Sequence, residues 1–420
     1  MTSVASTGPI ANRAAHCATG RLRRATGACS AGDVPIDGPE VAMDRFTPNA
    51  ASAYPAPMAP ISFARGAPSL DIVDVEGLRE AAQRAFDQDP GGTVAYGASV
   101  GYGPLREWIA EQHGVEVDQV LVTNGSMQAD AFLFQLLVGP GDPVVVESPT
   151  YDRTLLNLRN READVHMVEL ETDGIDTAAL RELLEGGVKP KLAHIIPNFQ
   201  NPAGYTLSEH KRGHLLALAA EHDFTIFEDD PYIWIRFEGE SLPTMLSRDD
   251  AGKVVYASSF SKTVCPGIRV GYLVGPQALI KQIQGIATNT YISPNMVAQS
   301  IVNQFARSGR MDGAIATVKN ALRERRDTLV AALERELPEA RFSAPSGGYF
   351  MWVELPEGTS VADLETAAKE RDVLFVKGTD FLLEGGENTL RLAYSGVTPE
   401  QIDEGVTRLA QAARSLGVAA

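Results

Sequence analysis

Cysteine is scarce in this chain. Three stand among 420 residues, at Cys17, Cys29 and Cys265, too scattered for a disulfide framework or a metal cluster. That scarcity fits a reducing compartment, and Cys265 reads as a small packing residue. No run reaches the ~18 apolar residues that a membrane-spanning helix needs. Basic residues number 37 against 54 acidic ones, a net charge of −17. Such a balance disfavours nucleic acid and anionic membrane as partners, because both would repel the chain. Acidic residues are missing from the first 32 positions, which carry Arg13, Arg21, Arg23 and Arg24 among Ala, Ser and Thr. An organelle transit peptide, a disordered tail and a start placed ahead of the true Met43 share that composition. The lack of an amphipathic face favours the last two, and residues 1–42 are assigned as a tail.

What is present is a long alternation. Seven short runs rich in β-branched residues occur at Val120–Thr123, Pro143–Glu147, Val165–Val168, Leu192–Ile196, Phe224–Phe227, Val254–Ala257 and Val270–Val274. Most lead through turn residues into a helical pattern. This predicts an α/β fold with a mostly parallel, seven-stranded sheet covered on both faces, its site at the strands' carboxyl ends. After residue 300 the pattern becomes one long charged helix, Met311–Glu336. Strands at Tyr349–Glu354, Val373–Val376 and Thr389–Ala393 follow, then a terminal helix from Pro399. The length suits more than one domain. We expect an N-terminal arm with part of a small domain over 43–95, a large domain over 96–305 and a small α+β domain over 306–420.

The sharpest chemical signal is Ser259-Phe260-Ser261-Lys262 directly after a strand, with Arg269 seven residues on. A lysine buried beside cations loses proton affinity and becomes a usable nucleophile and base, and arginine offers a fixed fork for phosphate oxygens. Three further segments follow strands: Thr123-Asn124-Gly125-Ser126-Met127, Asn201-Pro202-Ala203-Gly204 and Asp229-Asp230-Pro231-Tyr232. A small turn entering a helix can present N–H groups to a phosphate.

In their order and spacing these segments resemble the class I/II aminotransferases, pyridoxal 5′-phosphate (PLP) enzymes with the aspartate aminotransferase-like fold. The likeness runs from Ile61 to the C-terminus and is nearest to the 2-aminoadipate aminotransferase subgroup. It implies that Lys262 binds PLP as a Schiff base and that Ser259, Ser261, Arg269, Gly125, Ser126 and Met127 hold the phosphate. It also implies that Asp229 keeps the ring nitrogen protonated, that Asn201 and Tyr232 bond the ring oxygen, and that Tyr151 stacks on the ring. By the same likeness Tyr96 serves the partner subunit's site in a homodimer, while Gly66 and Arg391, with Asn201, receive the substrate carboxylate. Arg391 has support of its own, since an arginine flanked by apolar strand residues is costly to bury without an anion.

The expected activity is transfer of an amino group between an L-amino acid and a 2-oxo acid, by a ping-pong route through pyridoxamine phosphate, in a cytoplasmic enzyme without a metal. Elimination, replacement, cyclisation or oxidation could start from the same residues. The subgroup also includes transcription regulators that sense PLP, but the 42 residues ahead of Met43 are too few for their DNA-binding domain. Departures from the family pattern are Met127, where glutamine is usual, Leu70-Asp71-Ile72-Val73 and Gly313-Ala314-Ile315. The substrate side-chain pocket is expected from Ile61–Val75, Thr288–Asn295 and the partner subunit. Arg65 is assigned to a surface ion pair, and Asp230 to structure.

Overall fold

A computed structural model describes residues 60–418. The tail and the start of the N-terminal arm lie outside that range. All seven expected strands form one sheet, in which Pro143–Ser148, Asp164–Glu171, Leu192–Ile195, Thr225–Asp229 and Val254–Ser259 pair in parallel. Gly271–Val274 runs antiparallel between Val254–Ser259 and Val120–Thr123. The sheet gains an eighth member at its edge, the two-residue strand Gly174–Ile175, which folds back on Asp164–Glu171. Two residues are too short to leave a periodic signal. The central strands Leu192–Ile195 and Val254–Ser259 are buried on both faces, as parallel strands under helices must be.

A second, four-stranded antiparallel sheet contains Arg341–Phe342, Phe350–Glu354, Val376–Lys377 and Thr389–Ala393. Its core takes in Phe63, Phe199 and Tyr232 and the terminal helix Pro399–Ser415. Ala81, on the helix Val75–Gln88, packs instead in another core with Val302 and Phe305. The 27-residue helix Arg310–Glu336 joins both, with Met311 and Ala314 in one core and Val318 to Leu333 in the other. The Leu70–Ile72 turn is pinned to that helix by Arg325, which donates to Ser69 Oγ (2.9 Å), Ser395 O (2.7 Å) and Asp71 Oδ2 (2.6 Å). Among the described residues no helix is long and apolar enough to cross a membrane.

Behind the strand ends, buried carboxyl groups stitch successive loops together. Glu147 accepts from the Ile196 N–H and from Gln200 Nε2, each at 3.1 Å, and Gln200 Nε2 also donates to Pro149 O at 2.8 Å. Asp230 accepts from Asn198 Nδ2 at 2.7 Å, and Asn198 Oδ1 accepts from Arg212 Nη2 at 3.1 Å. The fully buried Arg212 lies 3.6 Å from Glu228, whose two oxygens accept from the N–H groups of Met245 and Leu246. Asp230 thus serves the structure, as its sequence context suggests.

Burial pushes the Glu147 and Asp230 carboxyls up to about 8. A carboxyl that holds its proton more tightly when folded contributes stability below its unfolded value, near ~4, and loses it as pH rises through about 8. The urea midpoint should therefore fall between about pH 5 and about pH 8. Glu147→Gln, which keeps an acceptor oxygen, should reduce that slope by up to about 1.4 kcal/mol per pH unit. An unchanged slope in the variant would show that Glu147 is ionised in the folded protein.

Candidate active site

A cavity of about 460 Å³ opens where the carboxyl ends of the parallel strands meet the four-stranded sheet. Loops leaving neighbouring strands deliver its side chains. Tyr151 follows Pro143–Ser148, Asn201 follows Leu192–Ile195, Asp229 ends Thr225–Asp229 and Lys262 follows Val254–Ser259.

One end is built for an anion. Ser126 and Met127, the first turn of the helix Ser126–Leu137, line it beside Ser259, Ser261 and Arg269. The first N–H groups of a helix lack intrahelical partners and attract negative charge. Arg269 Nη1 donates to Ser261 Oγ at 3.2 Å, and Ser261 N donates to Ser259 Oγ at 3.2 Å. Close approach fixes two glycines here. A Cβ on Gly125, whose φ is +89°, would lie 2.1 Å from Arg269 Nη2, and one on Gly271 would lie 2.4 Å from the Ser126 nitrogen. At Met127 the chain offers no side-chain donor. The neighbouring Gln128 turns away, its Oε1 accepting from the Asn124 N–H at 3.0 Å.

Lys262 stands between the two ends. Its Nζ donates to Gly66 O at 2.6 Å and lies 5.0 Å and 5.4 Å from the ring centroids of Tyr349 and Tyr232. Burial, then the Arg391 charge, with a smaller push from Arg269, lowers the amine to about 8 against the opposing pull of Asp229. Asp229 Oδ2 lies 3.4 Å from Nε2 of the fully buried His194, while its buried Oδ1 has no partner among the described residues. Burial also raises the Tyr151 phenol to about 12, and moves Tyr232 upward too.

The opposite end holds Arg391, which is 6% exposed. Its Nη1 donates to Asn201 Oδ1 at 2.9 Å and its Nη2 to Ala64 O at 2.8 Å, while Nε has no partner among the described residues. The guanidinium lies between the rings of Phe350 (4.3 Å to the centroid) and Phe381 (4.9 Å). Among the described residues no carboxylate comes within ion-pair distance of Lys262 or Arg391. A buried arginine and a partly buried lysine without anions, facing one cavity, are expensive unless a ligand supplies the charge.

Of the residues singled out in the sequence, Gly66, Ser126, Met127, Tyr151, Asn201, Asp229, Tyr232, Ser259, Ser261, Lys262, Arg269 and Arg391 all line this cavity. Gly125 lies behind its wall. Tyr96 is elsewhere, 85% exposed on the surface, where it borders a shallow hollow with Ser293 and Pro294. Within one chain the Thr288–Asn295 stretch therefore adds nothing to the cavity. Arg65 is exposed and makes no ion pair among the described residues, so the expected surface pair is not formed. Sequence reasoning passed over Asp130, Phe350, Val376, Asp380 and Phe381, which also line the site. Asp130 is fully buried, and burial, with Asp229 nearby, raises its carboxyl well above the usual range.

The donor set fits a phosphorylated pyridine aldehyde. Anion donors stand at one end, the unpartnered Asp229 oxygen suits a protonated ring nitrogen, and Lys262 supplies an amine. Comparison with known proteins agrees. The family model for aminotransferase class I and II matches residues 60–409. The chain is 36% identical to the 2-aminoadipate transaminase of Thermus thermophilus, over 85% of this chain and 90% of that one. It is 32% identical to aromatic-amino-acid aminotransferase 1 of Thermococcus litoralis, over 84% and 87%. The crystal structure of LysN, the alpha-aminoadipate aminotransferase of Thermus thermophilus complexed with N-(5′-phosphopyridoxyl)-L-leucine, superposes with a TM-score of 0.82. The two are 33% identical over 85% of this chain and 92% of that one. The chain belongs to the class I and II aminotransferases, and it is a PLP-dependent transaminase that moves an amino group between an amino acid and a 2-oxo acid.

Proposed function

We propose that Lys262 anchors the cofactor and moves the reacting proton, with Arg391 gripping the substrate carboxylate. The observation that carries this reading is buried Arg391 and partly buried Lys262, both without an anion among the described residues, in one cavity with Asp229. Ser126, Met127, Ser259, Ser261 and Arg269 hold the phosphate, backed by Gly125. Asp229 holds a proton on the ring nitrogen, Asn201 and Tyr232 bond the ring oxygen, and Tyr151 lies against the ring. Bound there, PLP would supply an electrophilic carbonyl carbon and an electron-withdrawing ring. Arg391 and Gly66 orient the substrate so that its Cα–H faces Lys262. The Lys262 amine, lowered to about 8, removes that proton near neutral pH.

Mixed with an amino acid alone, the holoenzyme should release one equivalent of 2-oxo acid per site and then stop until a second 2-oxo acid is added. Continued release without an acceptor would refute transamination. Arg391→Lys should lower kcat/KM roughly 10–100-fold, because a charge-assisted hydrogen bond of about 1.5–3 kcal/mol is lost with the two-pronged grip.

The same reading makes the enzyme a cytoplasmic homodimer with composite sites. Exposed Tyr96 beside exposed Val94 and Val297 supports an interface, and scarce cysteine supports the compartment. If Tyr96 completes the partner's site, mixing Tyr96→Phe with Lys262→Ala subunits yields one intact site per hybrid. The mixture should then exceed the mean of the two separate activities. Simple averaging after subunit exchange would contradict the composite site.

A further inference from the structure

We propose that Tyr349 is a positioning residue for Lys262, holding the lysine's backbone through its phenol and its amine through its ring face. Nothing in the sequence motifs marks this residue, which stands just ahead of the strand Phe350–Glu354. It is completely buried. Its hydroxyl donates to the Lys262 carbonyl oxygen at 2.9 Å, and its ring centroid lies 5.0 Å from the same lysine's Nζ. One side chain thus meets the root and the tip of Lys262.

The tyrosine is itself firmly held. Its carbonyl accepts from the Tyr394 N–H at 3.0 Å, and Tyr394 Oη lies 3.0 Å and 2.9 Å from the carbonyl oxygens of Gly347 and Gly348. Those glycines press on Phe199, where a Cβ on Gly347 would come within 2.3 Å of the ring. The Tyr232 ring completes the cluster, 5.5 Å from Tyr349 and 5.4 Å from Nζ. Because Phe350–Glu354 pairs directly with the strand carrying Arg391, the same sheet positions the lysine and the arginine.

Aromatic faces attract a cation, more strongly where water is excluded. The charged groups acting on Nζ are Arg391 and Arg269, which oppose its charge, and Asp229, which favours it. The rings of Tyr349 and Tyr232 add to the side of Asp229. Removing the Tyr349 ring should therefore make Lys262 give up its proton at lower pH, while removing only the hydroxyl should not.

The test is a visible-absorbance pH titration of the holoenzyme, which reads the proton on the Lys262 nitrogen when it is joined to the cofactor beside the same rings, with cofactor release followed by gel filtration. Tyr349→Leu should move the titration midpoint down by about 0.5–1 pH unit. Tyr349→Phe should keep the wild-type midpoint but release cofactor several-fold faster, since only the tie to the backbone is lost. Should Tyr349→Leu fail to fold, Tyr349→Met fills similar space and carries the same expectation. Wild-type midpoints in both ring-deleting variants, or an equal shift in Tyr349→Phe, would overturn the proposal. The inference rests on Lys262 as the cofactor's anchor, and the two fail separately. A wrong lysine leaves the absorbance intact in Lys262→Ala, whereas a wrong tyrosine leaves it unmoved in the Tyr349 variants.

Discussion

A lysine amine enclosed by protein with two arginines for company is the constraint on which this architecture depends. Left alone, such a group would lose its proton or draw in water. Here burial and the charges of Arg391 and Arg269 bring it to about 8, so that neutral amine is available near physiological pH. Asp229 and two tyrosine rings keep the cation from being lost altogether. The balance works only if the groups are held in place. The buried carboxyl groups of Glu147, Glu228 and Asp230 do that holding behind the cavity, by tying each strand-end loop to the next.

The fold supplies the contributors from two independent layers. Parallel strands end side by side, so Tyr151, Asn201, Asp229 and Lys262 arrive together although they are far apart in sequence. Arg391, Phe350 and Tyr349 arrive from the antiparallel sheet opposite. The helix Arg310–Glu336 contributes to the cores beneath both. Chemistry therefore sits at a seam, where substrate can be gripped from one side and cofactor from the other.

Much of this was legible because it is local. Strands buried on both faces must be apolar and β-branched, so their runs stand out, and the cavity-lining segments follow their strands within a few residues. The long helix appears at Arg310–Glu336, within one residue of its expected bounds, for the same reason. The two-residue strand Gly174–Ile175 carries no periodicity and was not legible. Asp130 offered one signal, a lone carboxylate in the apolar run Ala129 to Leu133, but a single residue cannot announce which cavity it faces. Tyr349 and Phe381 join the site only through tertiary packing. Arg65, expected in a surface ion pair, is exposed and forms none among the described residues.

If the protein itself sets Lys262 near 8, the cofactor-free form should show it. The most direct measurement is the rate at which cofactor-free protein captures PLP, followed by absorbance across about pH 6 to about pH 10. The capture rate should rise with the neutral amine to a midpoint near 8, and capture should be absent in Lys262→Ala. A midpoint near 10.5, the ordinary lysine value, would contradict it.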